Sequence, residues 1–143
     1  MKAIDAIKTI FDDAQWEATA LNNEPPFLVE LESLSIAFCP LDDTVFTIRG
    51  YIADLQDDAT TDFELLSRLC KLSAGLMLEH RQRVIVDSKK VYLEIDIDAE
   101  SLDETALIDL VSSFLDNCDM FIDYAKDDLK YSNNNAFAWG LLR

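Results

Sequence analysis

The stretch RVIVDSKKVYLEIDID, residues 83–98, decides the fold of this chain. Its second half alternates apolar and polar side chains without a fault: Val91, Leu93, Ile95 and Ile97 against Tyr92, Glu94, Asp96 and Asp98. An alternation of period two predicts a strand with one buried face and one exposed face, which here is acidic. The run 83–88 predicts a second strand, and the polar residues between the two runs predict a tight turn. The stretch therefore predicts a β-hairpin.

A helix is predicted on each side of this hairpin, because apolar residues recur there at steps of three and four. The helix before the hairpin begins at the capping-box pattern of Thr61 and Glu64, and the helix after it begins at that of Ser101 and Glu104. The helix after the hairpin is predicted to end near Leu129.

The N-terminal part of the chain predicts one more helix and three strands. The helical stripe consists of Ile4, Ile7, Phe11, Ala14, Ala18 and Leu21. Alternating runs at 27–32, 34–39 and 44–52 predict the strands. Gly50 interrupts the last run, which indicates a bulge or a close backbone approach.

The resulting element order, α-β-β-β-α-β-β-α, places the chain in the α+β class. A chain of 143 residues is most simply one domain. We assign residues 1–130 to this domain and residues 131–143 to a C-terminal tail that begins with a polar hinge at 133–135.

The charge balance narrows the choice of partner. Twelve basic and 28 acidic side chains give a net charge of −16. Nucleic acids and anionic membrane surfaces are bound through clustered Lys and Arg, so neither is expected as a partner. No apolar run approaches the roughly 20 residues of a membrane span, and a signal peptide is not expected. The three cysteines lie among apolar neighbours, which favours buried, reduced thiols in the cytoplasm.

No residue pattern predicts catalysis, a metal or a cofactor. His80 is the only histidine, and no nucleophile motif accompanies it. The acidic pairs lack the glycine of a calcium loop, and the three glycines are too scattered for a phosphate-binding loop. We therefore expect a protein-binding protein rather than an enzyme.

Two residues have two interpretations each. Trp16 falls off the stripe of the first helix, so it either forms an exposed anchor for a partner together with Phe11 or is covered by the tail. Gly75 lies within the second helix, where glycine costs about 1 kcal/mol relative to alanine. It is either tolerated or permits close packing against another helix or a second subunit.

The chain resembles a known family, most clearly in residues 63–121. This stretch comprises the leucine-rich run 63–78, the hairpin strands Val84-Ile85-Val86 and Val91-Tyr92-Leu93-Glu94-Ile95 around Lys89-Lys90, and the helix 102–121 that starts with Leu102-Asp103. Together with the element order and the acidity, these motifs resemble the class I type III secretion chaperones, the Tir-chaperone or CesT-like family. The resemblance covers residues 1–129.

The resemblance implies a bacterial cytoplasmic homodimer in which each subunit has a twisted antiparallel sheet packed by helices. It implies dimerisation through the second helix and the following strand, which here means Leu69, Leu72, Gly75, Leu76, Val84 and Val86. It also implies that the ligand is the extended N-terminal segment of a secreted effector, bound without a cofactor. The corresponding patches map to Ile7, Phe11, Trp16, Val91 and Leu93. The alternative is a YbjN-like regulatory or adaptor protein without a role in secretion.

Overall fold

The structure is a computed structural model that describes the backbone of residues 1–76 and 81–142 and the side chains of residues 1–75 and 81–126. The helices and strands follow the predicted order: α1 Ala3–Ala14, β1 Phe27–Glu30, β2 Ser35–Pro40, β3 Val45–Asp54, α2 Ala59–Leu76, β4 Gln82–Asp87, β5 Lys90–Asp98 and α3 Glu104–Leu142. Short 3₁₀ helices lie at Ala18–Asn22 and Ala99–Ser101. The predicted α+β class is confirmed.

The five strands form one antiparallel sheet in the order β1-β2-β3-β5-β4. The predicted hairpin is the β4–β5 pair, and its two central turn residues, Ser88 and Lys89, have φ values of 51° and 64°. Two left-handed residues are the geometry that matches the twist of a two-residue hairpin. The strands β1 and β4 are the two edges of the sheet.

The core lies between one face of the sheet, here called the inner face, and the helices α1 and α3. The inner face carries Phe27, Ile36, Phe38, Phe46, Ile48, Leu93, Ile95 and Ile97, which are all buried. The helices contribute Ala6, Ile7, Ile10, Phe11, Leu107, Phe114, Cys118 and Phe121. Each large side chain removed from water in this way contributes about 1.5–3 kcal/mol, so this layer holds the fold together.

Gly50 lies at a close approach between the sheet and helix α3. A methyl group on its Cα would meet Cys118 Sγ of α3 at 2.5 Å. The close backbone approach suggested by the sequence is therefore confirmed. The register of β3 shifts one residue further on, between Tyr51 and Ala53.

The helix starts differ from the predicted capping boxes. Helix α2 begins at Ala59, because the carboxylate of Asp58 accepts hydrogen bonds from the N–H groups of Thr60 and Thr61. Helix α3 begins at Glu104, after Asp103, whose carboxylate accepts the N–H of Ala106 at 2.8 Å. Aspartate caps an N-terminus as well as Thr or Ser does, so the neighbouring carboxylate takes the role in both places.

The helix ends also differ from the sequence prediction. Helix α1 stops at Ala14 rather than continuing to Leu21, and α3 continues to Leu142 rather than stopping near Leu129. The backbone at 133–135 is part of α3. The side chains of residues 131–142 and the whole of Arg143 lie outside the described residues. The same holds for the predicted covering of Trp16 by the tail.

The cysteines differ in exposure, which corrects the expectation that all three are buried. Cys118 is buried, Cys39 is half-buried and Cys70 is exposed on α2. Burial raises the pKa of the Cys118 thiol, because the thiolate would lose its hydration among apolar neighbours. Cys118 is thus a core side chain in its protonated form.

Candidate functional site

The end of α1 places Trp16 beside the sheet. Gln15 adopts the left-handed conformation, with φ 58° and ψ 35°. Its N–H donates to the carbonyl of Asp12, and the N–H of Trp16 donates to the carbonyl of Phe11 at 2.9 Å. These two bonds form a Schellman motif, which ends a helix and turns the chain sharply. The turn explains why the helical stripe of the sequence does not continue.

Two phenylalanines hold the indole of Trp16 in place. Its ring lies edge-on to Phe11 at 5.4 Å between centroids and is tilted against Phe38 of β2 at 6.0 Å. Such aromatic pairs contribute about 0.5–1.5 kcal/mol each beyond area burial. Trp16 remains half-buried, so part of the indole faces outward.

That part of the indole borders a groove of about 660 Å³ between the 3₁₀ helix Ala18–Asn22 and β1. Its lining mixes apolar and polar side chains, with two carboxylates and no basic side chain among the described residues: Phe11, Gln15, Trp16, Glu17, Thr19, Ala20, Asn23, Leu28, Val29, Glu30 and Leu31. A groove that combines apolar side chains with two carboxylates suits a ligand that carries both apolar and basic side chains.

Strand β1 forms one wall of this groove and is an edge strand. It pairs only with β2, from Phe27 opposite Phe38 to Glu30 opposite Ser35. An edge strand offers a row of backbone N–H and C=O groups to another chain. Leu28 is 61% exposed although it lies in a strand, so an apolar side chain accompanies the open backbone. The groove and the edge together can accept an extended peptide as a sixth strand.

The second face of the sheet, here called the outer face, carries a row of cross-strand neighbours with three charged members. The row crosses all five strands and consists of Leu28, Ala37, Arg49, Glu94 and Arg83. The carboxylate of Glu94 accepts hydrogen bonds from Arg49 and, at 2.7 Å, from Arg83. Its side chain is only 7% exposed, since the two guanidinium groups cover it. The row stabilises the central strands on this face.

A second acid completes the outer face. Arg83 Nη2 lies 3.0 Å from Asp96 Oδ1, and the hydroxyl of Thr47 donates to the same oxygen. The hydrogen bond from Arg83 lowers the pKa of Asp96 below its usual value, because it favours the ionised carboxylate. Arg49 also lies over the Tyr92 ring, 4.8 Å from its centroid. The basic side chains of this face are thus engaged within the protein.

The structure corrects most of the partner patch that the resemblance implied. Ile7, Phe11, Val91 and Leu93 are all completely buried, where a partner cannot reach them. They lie on the regular apolar stripes of their elements, and these stripes pack against each other to form the core. Phe11 and Trp16 both line the groove, but Trp16 is the member of the set that keeps exposed surface there.

The residues assigned to the dimer interface lie in different environments. Leu69 is completely buried within the subunit. Leu72 and Val84 are half-buried, and Val86 is 47% exposed. Gly75 is exposed, with no atom within 4 Å of a methyl group placed on it. The side chain of Leu76 lies outside the described residues. Leu69 is therefore a core residue, whereas Leu72, Gly75, Val84 and Val86 keep exposed surface that a second subunit could cover.

Sequence reasoning missed Leu28 as a site residue. Its signal was present, because Phe27 and Val29 alternate as buried positions and Leu28 between them must face the other way. It also missed Phe63, a large apolar side chain of α2 that is 70% exposed.

Within residues 1–75 and 81–126 no group of three or more His, Cys, Asp or Glu side chains is placed to hold a metal ion. His80 lies outside the described residues. None of the described helices has the length and apolar character needed to cross a membrane. Comparison of the sequence with family models and with curated proteins finds no match.

Proposed function

We propose that this protein is a type III secretion chaperone that binds the extended N-terminal segment of a secreted effector and keeps it soluble. The proposal has no catalytic or cofactor component and places the protein in the bacterial cytoplasm. The observation that carries it is the open edge of β1 beside the Trp16 groove. The client segment would lie along β1 with its side chains entering the groove.

The physical chemistry of the groove supports such a client. Strand addition satisfies the backbone of an unfolded segment, while pockets for alternate side chains supply selectivity. The net charge of −16 keeps the protein and its complex in solution and attracts basic segments. Neither role requires a reacting group.

The proposal includes a homodimer formed through α2 and β4. Phe63 of α2 and Val86 of β4 are apolar side chains with 70% and 47% exposure. Leu72 and Val84, on the same two elements, are half-buried. Exposed apolar side chains of this kind are typical of subunit contacts. Leu69 is no longer included among the contacts, since the core of the subunit already contains it. Sedimentation that shows only monomer at micromolar concentration would contradict this part.

Co-purification of the full chain with the N-terminal region of a candidate effector tests the chaperone role. The wild-type protein should retain the effector in soluble form, and Leu28→Lys should lose it, because lysine on an edge strand opposes strand addition and repels a basic client. The matched control is Leu41→Lys, since Leu41 is also 61% exposed but lies in the β2–β3 turn. Equal retention by both variants would contradict the proposed groove.

A second candidate is a YbjN-like adaptor that binds a folded partner. The outer face favours it, because Arg49, Tyr51 and Tyr92 form an ordered, partly exposed surface there. In this case the partner would bind in its folded state, and the isolated N-terminal segment of an effector would not be retained even by the wild-type protein.

A further inference from the structure

The alternation of β1 divides any added strand into two sets of side chains. Phe27 and Val29 point to the inner face, and Leu28 and Glu30 point to the outer face. Residues directly opposite each other on neighbouring antiparallel strands lie about 4.5–5.5 Å apart at Cβ, and these pairs decide much of the preference between strands. The side chains of β1 therefore determine which residues fit opposite them.

Two of the four positions favour an apolar residue. Opposite Val29, which lines the groove, a side chain would lie next to Trp16. Opposite Leu28, it would contact the exposed leucine and the adjoining outer-face groove of about 460 Å³, which Tyr51 and Tyr92 also line. Each of these two positions offers apolar surface that strand addition would remove from water. Phe27 is only 3% exposed and sets no preference.

The position opposite Glu30 favours a cation. The carboxylate of Glu30 accepts a hydrogen bond from the hydroxyl of Ser35, its partner on β2. No ion pair joins Glu30 to a basic group within the described part of the chain. By contrast, Glu94 and Asp96 further along the outer face each have an arginine. Opposite charges across a strand pair are stabilising and like charges are destabilising.

We propose that the client segment contains two consecutive apolar residues next to a lysine or arginine, and that this cation lies opposite Glu30. The inference rests on the proposed function and specifies its ligand. Glu17, on the other wall of the groove, adds a second carboxylate that favours the same charge. The basic residue precedes the apolar ones if the segment runs antiparallel to β1 and follows them if it runs parallel.

Fluorescence of Trp16 provides the test. The Trp139→Phe variant leaves Trp16 as the only tryptophan, because the chain has two. Peptides of about ten residues, a common strand length, should carry the pattern of two apolar residues and one charged residue in either order, with lysine or glutamate at the charged position. In one of the two orders, the lysine peptide should bind about five- to tenfold more tightly than the glutamate peptide, as expected for a cross-strand charge pair.

Charge reversal at Glu30 separates local pairing from the overall field. With Glu30→Lys the preference should reverse, so that the glutamate peptide binds more tightly. The matched control is Glu32→Lys, which makes the same change of net charge at an exposed residue just beyond β1 and should keep the lysine preference.

The outcomes distinguish the two proposals. If peptides bind but Glu30→Lys leaves the preference unchanged, or Glu32→Lys reverses it equally, the cation does not lie opposite Glu30 and this inference is overturned. If no peptide changes the fluorescence of Trp16, the proposed function itself fails.

Discussion

At the centre of the sheet, Gly50 of β3 lies so close to α3 that a methyl group would meet Cys118 Sγ at 2.5 Å, whereas at the β1 edge Trp16 borders a groove of about 660 Å³. The central strands have neighbours on both sides and apolar packing on the inner face, and their outer face is closed by the Arg49–Glu94–Arg83 row. Strand β1 has a partner on one side only. Changes at the centre should therefore affect stability, and changes at the edge should affect binding.

The largest effect is expected from Gly50→Ala. The added methyl group cannot fit unless Cys118 moves, and overpacking of this kind costs about 1–3 kcal/mol. Urea denaturation of the variant and the wild type measures the difference. Adding Cys118→Ala should make the loss smaller than the sum of the two single losses, because the side chains are in contact. If Gly50→Ala has the same free energy of unfolding as the wild type, the packing between β3 and α3 has room for a methyl group and the contrast with the edge is wrong.

Gly75→Ala is the same substitution at an open position, since nothing lies within 4 Å of the new methyl group. Alanine favours the helix, so the free energy of unfolding should rise by up to about 1 kcal/mol. Sedimentation of the same variant addresses the second interpretation of this glycine. A weaker dimer would place Gly75 at a subunit contact, and an unchanged dimer would place it on free surface.

Asp96→Asn should lower the free energy of unfolding by about 0.5–1 kcal/mol at neutral pH, because Asp96 and Arg83 form a partly exposed ion pair. The folded-state pKa of Asp96 is lowered from 3.8 by the hydrogen bond from Arg83. The ionised carboxylate therefore stabilises the folded protein fully at pH values above its unfolded-state pKa of 3.8. This stabilisation is lost as the pH falls through the lower folded-state pKa. Urea titrations at a series of pH values should show the two proteins converging in acid. A difference that persists in strong acid would exclude this carboxylate as its source.

The smallest effect on stability is expected at the edge. Leu28→Lys should change the free energy of unfolding by less than about 0.5 kcal/mol, because the side chain is already 61% exposed. The variant is thus expected to lose the client while it remains folded, and thermal unfolding beside Leu41→Lys measures this. A marked loss of stability would show that Leu28 supports the sheet, and the contrast between centre and edge would weaken.

The sequence predicted much of the fold but little of the site. The alternation in 91–98 identified the inward side chains of β5 correctly, because the period of a strand is a local property. It did not predict the end of α1, since Gln15 is not a residue type that usually signals a left-handed turn. The predicted patch failed for a related reason. Ile7, Phe11, Val91 and Leu93, which the resemblance implied as partner contacts, lie on apolar stripes, and such stripes form the core.

The sequence by itself determined the order of the elements and the inward face of most of them, because both follow from periodicities within short segments. Only the tertiary structure decided where an open surface remains. The groove is formed by side chains distant in sequence: Phe11 and Phe38 hold Trp16, and Leu28 and Glu30 complete the opposite wall. No local pattern contains that arrangement, because it depends on a helix-ending turn and on β1 having a single neighbour.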